Sequence, residues 1–216
     1  MTLDDYIDSH LGPEPEHLAG LYRRTHLTRL YPRMCSDHAQ GALLGMLTSM
    51  IKPRRILELG TFTGYSALAM AETMPEGCTL DTVELDPEYE DEIRAVFDAS
   101  PRGADIHLHI GDAEELIPGL LAPGTVPVDL VFVDANKRRY AAYYRALMPL
   151  LPEGAYIIAD NTLWSDKILT ASAHPDPQTA GIMEFNDLVA ADPAVAKAII
   201  PLRDGLTVLR KLPSAD

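Results

Sequence analysis

From Arg54 onward, short runs of apolar residues alternate with amphipathic stretches, and Gly, Pro, Asn and Asp punctuate the joints. A chain patterned this way builds βαβ units around a parallel sheet. The predicted strands are Arg55–Leu59, Thr79–Glu84, Asp105–Ile110, Val128–Asp134, Ala155–Asp160, Ala196–Pro201 and Leu206–Lys211. Several are apolar almost throughout, as strands covered on both faces must be. Helices are expected between them at Tyr65–Met74, Pro87–Ser100, Ala113–Leu121, Tyr140–Leu151 and Thr179–Ala191. Leu202–Gly205 is too short for a crossover helix, so the last two strands should form an antiparallel hairpin at one edge. Before residue 53 the spacing is helical, over Leu3–Leu11, Glu14–Leu30 and Ala39–Ile51. No internal repeat or linker interrupts the pattern. The expectation is one domain over 1–216, with a helical N-terminal extension (1–52) on an α/β core (53–216).

Charge narrows the partners. The 216 residues carry 18 Lys and Arg against 32 Asp and Glu, a net charge of −14. Nucleic acid and anionic membrane are therefore disfavoured, and a small molecule is the expected partner. The opening MTLDDYIDSHLG has acids where a signal peptide has a basic region, which points to the cytoplasm. Cys35 and Cys78 are too few for a disulfide framework and are read as reduced thiols.

The first predicted strand runs into Gly60-Thr61-Phe62-Thr63-Gly64-Tyr65-Ser66, a glycine turn feeding a helix at the strand's carboxyl end, where open α/β sheets bind ligands. The spacing is neither the three-glycine dinucleotide fingerprint nor a triphosphate loop. Glu84 ends the second strand, roughly 20 residues on, where such folds place an acid on ribose hydroxyls. Asp134 ends the fourth strand, and Asp160-Asn161 the fifth. Neighbouring parallel strands would bring these three oxygen ligands to one edge. Two carboxylates and an amide are hard donors suited to Mg²⁺ or a similar divalent cation. Each Asp could instead merely cap the segment after it. Lys137, one short turn past Asp134, can overhang the same place. An unperturbed lysine titrates near 10.4, and partial burial and a nearby cation both lower it toward a working general base.

These residues resemble a known family. Arg55-Ile56-Leu57-Glu58-Leu59-Gly60-Thr61 with Thr63-Gly64-Tyr65-Ser66, Gly111-Asp112-Ala113, Asp134-Ala135-Asn136-Lys137 with Tyr140, and Asp160-Asn161-Thr162-Leu163-Trp164 are similar to the successive motifs of the cation-dependent S-adenosylmethionine O-methyltransferases, catechol and caffeoyl-coenzyme A O-methyltransferases among them. The resemblance runs from Tyr31 to Lys211. It implies a Rossmann-like class I methyltransferase fold, with a seven-stranded, mostly parallel sheet and a homodimeric assembly. It also implies roles: Asp134, Asp160 and Asn161 as metal ligands, Lys137 as the base, and Glu84 on the cofactor ribose. Glu58, Gly60 and Ser66 would lie around its methionine half, Ala113 near adenine, and Met34 and Ser36 in the segment closing over it; Thr61 and Asp134 would also bind the cofactor, and Asp134 would act in catalysis with Lys137. Asn136 stands where the family usually has a second acid, and Cys35-Ser36-Asp37-His38 departs from the commoner apolar-Ser-Pro-Glu pattern.

The expected reaction is methyl transfer from S-adenosylmethionine to a hydroxyl of a small, catechol-like aromatic acceptor. The rivals are a nicotinamide-dependent oxidoreductase, which leaves Asp134, Asp160, Asn161 and Lys137 unexplained, and a non-catalytic cofactor-binding module. Trp164 reads equally as a buried anchor or a wall of the acceptor pocket. The other walls are expected from the N-terminal helices and Ser165–Thr179.

Overall fold

A computed structural model describes residues 1–170 and 174–214. Seven strands, β1 (Arg55–Leu59), β2 (Thr79–Glu84), β3 (Ile106–Ile110), β4 (Leu130–Val133), β5 (Tyr156–Ala159), β6 (Val195–Ile200) and β7 (Leu206–Lys211), form one sheet in the order β3-β2-β1-β4-β5-β7-β6. The first five are parallel. β7 runs antiparallel between β5 and β6, so the expected hairpin is present with β6 at the edge.

Alternation along the strands divides the core in two. Leu57, Leu59, Val131, Val133 and Ile157 face one side, and Ile56, Leu130, Phe132 and Ile158 the other. The first side is covered by α6 (Ala113–Leu120), α7 (Tyr140–Leu147) and α9 (Pro177–Ala191). The second is covered by α2 (Glu16–Thr28), α3 (His38–Ile51), α4 (Tyr65–Ala71) and α5 (Glu90–Asp98). The short α1 (Leu3–Asp8) and α8 (Lys167–Thr170) complete the helices among the described residues. Each fully buried Leu, Ile or Phe contributes about 1.5–3 kcal/mol, so both helical layers are held by the same sheet. No helix among the described residues is long and apolar enough to cross a membrane. Cys35 and Cys78 are free and buried.

Several boundaries differ from expectation, for local reasons. The helix expected at Thr179 begins at Pro177, because the Asp176 carboxylate accepts from the Gln178 and Thr179 amides and proline fits the first turn. The stretch from Pro87 splits into a 3₁₀ turn, Pro87–Tyr89, and α5. The helix expected to reach Leu151 ends at Leu147, since Pro149 lies inside the expected span and has no amide to donate to the Arg145 carbonyl. The helix from Tyr65 ends at Ala71 rather than Met74, and the N-terminal helices end at Asp8 and Thr28 rather than Leu11 and Leu30. Of the Ser165–Thr179 stretch, residues 171–173 lie outside those described.

The joint that matters most is between β1 and β4, where the strand order reverses. The Gly60 amide donates to the Val83 carbonyl (2.9 Å), and the Asp134 amide donates to that of Leu59 (2.8 Å). Gly60 has φ 98°, and a Cβ there would stand 2.1 Å from the Asp134 carbonyl oxygen. Only glycine meets both conditions. Strain and overlap together predict that Gly60→Ala lowers stability by roughly 3 kcal/mol, measured as a fall in the urea midpoint at unchanged slope.

Candidate active site

A cavity of about 960 Å³ opens at the carboxyl ends of the parallel strands. Its lining includes Met34, Ser36, Gly60, Thr61, Ser66, Glu84, Ala113, Asp134, Lys137, Asp160 and Asn161. Eleven of the twelve residues singled out in the sequence therefore share one space. The twelfth, Glu58, lies completely buried beneath it.

Glu58 points from β1 toward the start of α4. There Ser66 Oγ donates to its Oε1 (2.6 Å) and Thr82 Oγ1 to its Oε2 (2.5 Å). The Thr61 hydroxyl joins this chain through Thr82 (2.6 Å). Burial pushes the Glu58 carboxyl up to about 8, against the Ser66 and Thr82 hydrogen bonds and with the help of the Asp134 and Glu84 charges. Glu58 thus meets the cavity through Ser66. Glu84 reaches it directly: its oxygens accept from the amides of Phe62 (2.8 Å) and Asp86 (2.9 Å), which fixes the carboxylate while leaving further lone pairs.

On the other side of the Gly60 turn, β4 and β5 end in Asp134 and Asp160-Asn161. Lys137, in the 3₁₀ turn that leads into α7, donates from Nζ to Asp134 Oδ1 and to Tyr140 Oη (2.8 Å). Burial, then the Asp134 and Asp160 charges, hold the Tyr140 phenol well above its usual range. It stays neutral and donates to the Val133 carbonyl (3.1 Å). Asn136 caps the Lys137 turn by accepting from the Arg138 amide (3.2 Å), so it serves the backbone there. Asp160 is 4 % exposed, and its Oδ1 accepts from the Asn161 amide (2.7 Å). Asn161 takes φ 58°, a left-handed value that Asn tolerates. Burial and the Asp134 charge raise the Asp160 carboxyl to about 6, while Lys137 and hydrogen bonds from Gln40 and the Asn161 amide lower it.

Among the described residues, no three His, Cys, Asp or Glu side chains gather as a metal cluster. The donor set here is two carboxylates and one amide, all hard oxygens. A carboxyl pushed up by its neighbour's charge is one whose ionised form a divalent cation would favour, so these residues fit such an ion.

Trp164 is partly buried and also borders the cavity. The ring is packed on the core beside α9, and its Nε1 donates to Thr179 Oγ1 (3.0 Å). Tyr31, Gln40, Arg203 and Asp204 were not anticipated. The first and last two line the cavity, and Gln40 bonds Asp160 from below. Gln40 carried a signal, being a polar residue in line with Leu44 and Thr48 on the buried stripe of α3. Arg203 carried none.

The model of the O-methyltransferase family matches residues 8–212. The chain belongs to the O-methyltransferase family. A caffeoyl-CoA O-methyltransferase of Stellaria longipes is 32% identical over 218 residues, covering 97% of this chain and 90% of that one. A catechol O-methyltransferase of Niastella koreensis is 29% identical over 201 residues, covering 93% and 90%. Among solved structures, the O-methyltransferase TomG of Streptomyces achromogenes, involved in tomaymycin synthesis and bound to S-adenosylmethionine, superposes with a TM-score of 0.90 at 30% identity, covering 98% of this chain and 96% of its own. The O-methyltransferase of Bacillus cereus, bound to S-adenosylhomocysteine, superposes at 0.88 and 26%, covering 97% of each. This O-methyltransferase has the class I methyltransferase fold and is an S-adenosylmethionine-dependent enzyme. The nicotinamide and non-catalytic readings fall with that assignment.

The buried acids set a pH dependence. A carboxyl at about 8 when folded, against an ordinary 4.5, keeps its proton while the unfolded chain ionises, so its contribution is full at low pH and is lost as pH rises toward 8. Asp160, at about 6, adds a share that ends near there. Between roughly pH 6.5 and 8 the fall belongs to Glu58, at up to about 1.4 kcal/mol per pH unit. Glu58→Gln is expected to flatten it in urea titrations of the ligand-free enzyme.

Proposed function

We propose that this O-methyltransferase is divalent-cation-dependent, with Mg²⁺ the natural choice for its donor set, and methylates one hydroxyl of a catechol-like aromatic acceptor. The observation that carries this reading is the meeting of Asp134, Asp160, Asn161 and Lys137 with Glu84 and Ser66 in one cavity. The aromatic surface of Trp164, fixed by Thr179, gives a flat ring a wall to lie on. Relatives named for catechol and caffeoyl-CoA point to the same acceptor chemistry.

Asp134, Asp160 and Asn161 would hold the cation. When bound, it supplies charge stabilisation and a template for two adjacent oxygens, and S-adenosylmethionine supplies the methyl group. Glu84 accepts from the two ribose hydroxyls, and Glu58 orients the Ser66 hydroxyl at the methionine end. Ala113 leaves room beside the adenine, while Met34 and Ser36 cover the cofactor. Gly60 and Thr61 let the backbone of the turn come close to it. Lys137 accepts the proton of the acceptor hydroxyl at Nζ, steered by its contacts to Asp134 and Tyr140. The oxygen so freed would take the methyl group as the methyl–sulfur bond breaks and S-adenosylhomocysteine leaves, with no covalent enzyme intermediate. The residues' contribution is therefore positioning and proton transfer.

Two measurements test these roles. Glu84→Ala should weaken S-adenosylmethionine binding by about 1.5–3 kcal/mol in calorimetry, the scale of hydrogen bonds to a charged group; unchanged affinity removes Glu84 from the site. With a simple catechol, Asp160→Ala should abolish the metal-dependent rate while still binding the cofactor, and Lys137→Ala should lower kcat by roughly 10²–10⁴, less at high pH where the acceptor ionises unaided. Full activity of Asp160→Ala in a chelator would overturn the cation mechanism.

A further inference from the structure

Gln40 is 1 % exposed in the middle of the protein, and its amide spans two charged groups. Nε2 donates to Asp160 Oδ2 (2.8 Å), and Oε1 accepts from Arg203 Nη1 (2.5 Å). The two ends of an amide are chemically distinct, while an arginine only donates and a carboxylate only accepts. One orientation alone satisfies both neighbours, so Arg203 holds the NH₂ end of Gln40 toward Asp160. With the Asn161 amide on Oδ1, each oxygen of Asp160 is then anchored by one hydrogen bond and keeps a lone pair for a ligand.

Arg203 does a second thing at once. It sits in the turn between β6 and β7, and its Nη2 donates to the carbonyls of Arg33 (3.2 Å) and Cys35 (3.1 Å), while Nε faces the Asp37 carboxylate (3.4 Å). Those carbonyls flank Met34, in the segment that lines the cavity beside the Gly60 turn. One guanidinium therefore fastens the covering segment and, through Gln40, orients a carboxylate on the far side of the cavity.

We infer that Gln40 and Arg203 are positioning residues: Gln40 presets Asp160 for the cation, and Arg203 ties that setting to the segment over the cofactor. The inference rests on the proposed cation site. Nothing in it requires either side chain to touch the reacting atoms.

The test reads binding rather than turnover. Mn²⁺ affinity is measured by electron paramagnetic resonance on the cofactor-free enzyme, and S-adenosylhomocysteine affinity by calorimetry without metal. Gln40→Met keeps the side chain's length and removes the hydrogen bonds. Arg203→Gly removes the guanidinium at a residue whose φ of 50° glycine adopts freely, so the turn is not forced, and it carries the test if Gln40→Met fails to fold. Gln40→Met should weaken Mn²⁺ binding by roughly 10-fold, the scale of losing an outer partner of a metal ligand, and leave S-adenosylhomocysteine unchanged. Arg203→Gly should weaken both. The double variant should bind Mn²⁺ no more weakly than Gln40→Met alone, as groups acting through one chain do. Parental Mn²⁺ affinity in both single variants, or additive losses in the double, overturns the positioning pair while the cation site stands. A parent enzyme that does not bind Mn²⁺ overturns the cation site and this inference with it.

Discussion

Everything the site does depends on how closely the turn after β1 passes the end of β4. Gly60 stands where a methyl group would collide with the Asp134 carbonyl, and that proximity merges two sites that the topology could have kept apart. On one side of the contact lie Glu84 and Ser66, on the other Asp134, Lys137 and Asp160. Methyl transfer needs the donor's sulfonium and the acceptor's oxygen in line within a few ångströms. A backbone approach between neighbouring strands gives that spacing more rigidly than any pair of loops. The sheet beneath, apolar on both faces, holds the two strand ends in register.

The acids of this protein show how environment divides one functional group into different roles. Asp81 is as little exposed as Asp160, yet His109 (2.6 Å) and Arg55 (2.6 Å) outweigh its burial and hold it below the usual carboxylate range. It is a finished structural pair. Glu58 and Asp160 receive hydroxyls and amides but no cation in direct contact, and burial pushes both up. Buried carboxyls without compensating charge cost stability unless a ligand or a proton answers them. Both lie around the same cavity, one under each half. Two carboxyls whose ionised forms burial disfavours are thus gathered at one cavity, while Asp81 is balanced by its partners elsewhere.

The legible features of the chain are the local ones. The strand ends, the glycine turn and the acids at residues 84, 134 and 160 are marked by patterns a few residues long, and all of them reached the cavity. Helix ends were less legible where the deciding residue lay outside the apolar stripe: Asp176-Pro177 is a clear start signal that periodicity alone passes over, and Pro149 ends α7 early although apolar residues continue to Leu151. The Lys137 turn is too short for any period. Gln40 showed only as a polar residue on a buried stripe and Arg203 not at all, and neither pairing was legible, since their partners lie 120 and 163 residues away in sequence. Nothing local foretells a hydrogen bond that only the finished topology can make.

That distance also changes how the first fifty residues should be regarded. By pattern they are an extension, helical and separate from the sheet. In the structure α3 lies across α4, with Gly41 letting the Tyr65 ring approach within 3.0 Å of where its Cβ would be, and this packing is what delivers Gln40 beneath β5. The Tyr65 hydroxyl in turn donates to Glu14 (2.5 Å), and Thr25 Oγ1 donates to Thr63 (3.1 Å) in the glycine turn itself. Three contacts, from the segment before α2, from α2 and from α3, thus converge on the residues surrounding the Gly60 turn. The two hydrogen bonds are buried or partly buried, so they are worth more for orientation than for net stability. Loosening the N-terminal helices would therefore disturb the geometry of the cavity before it unfolded the sheet, which makes them part of the scaffold that shapes it.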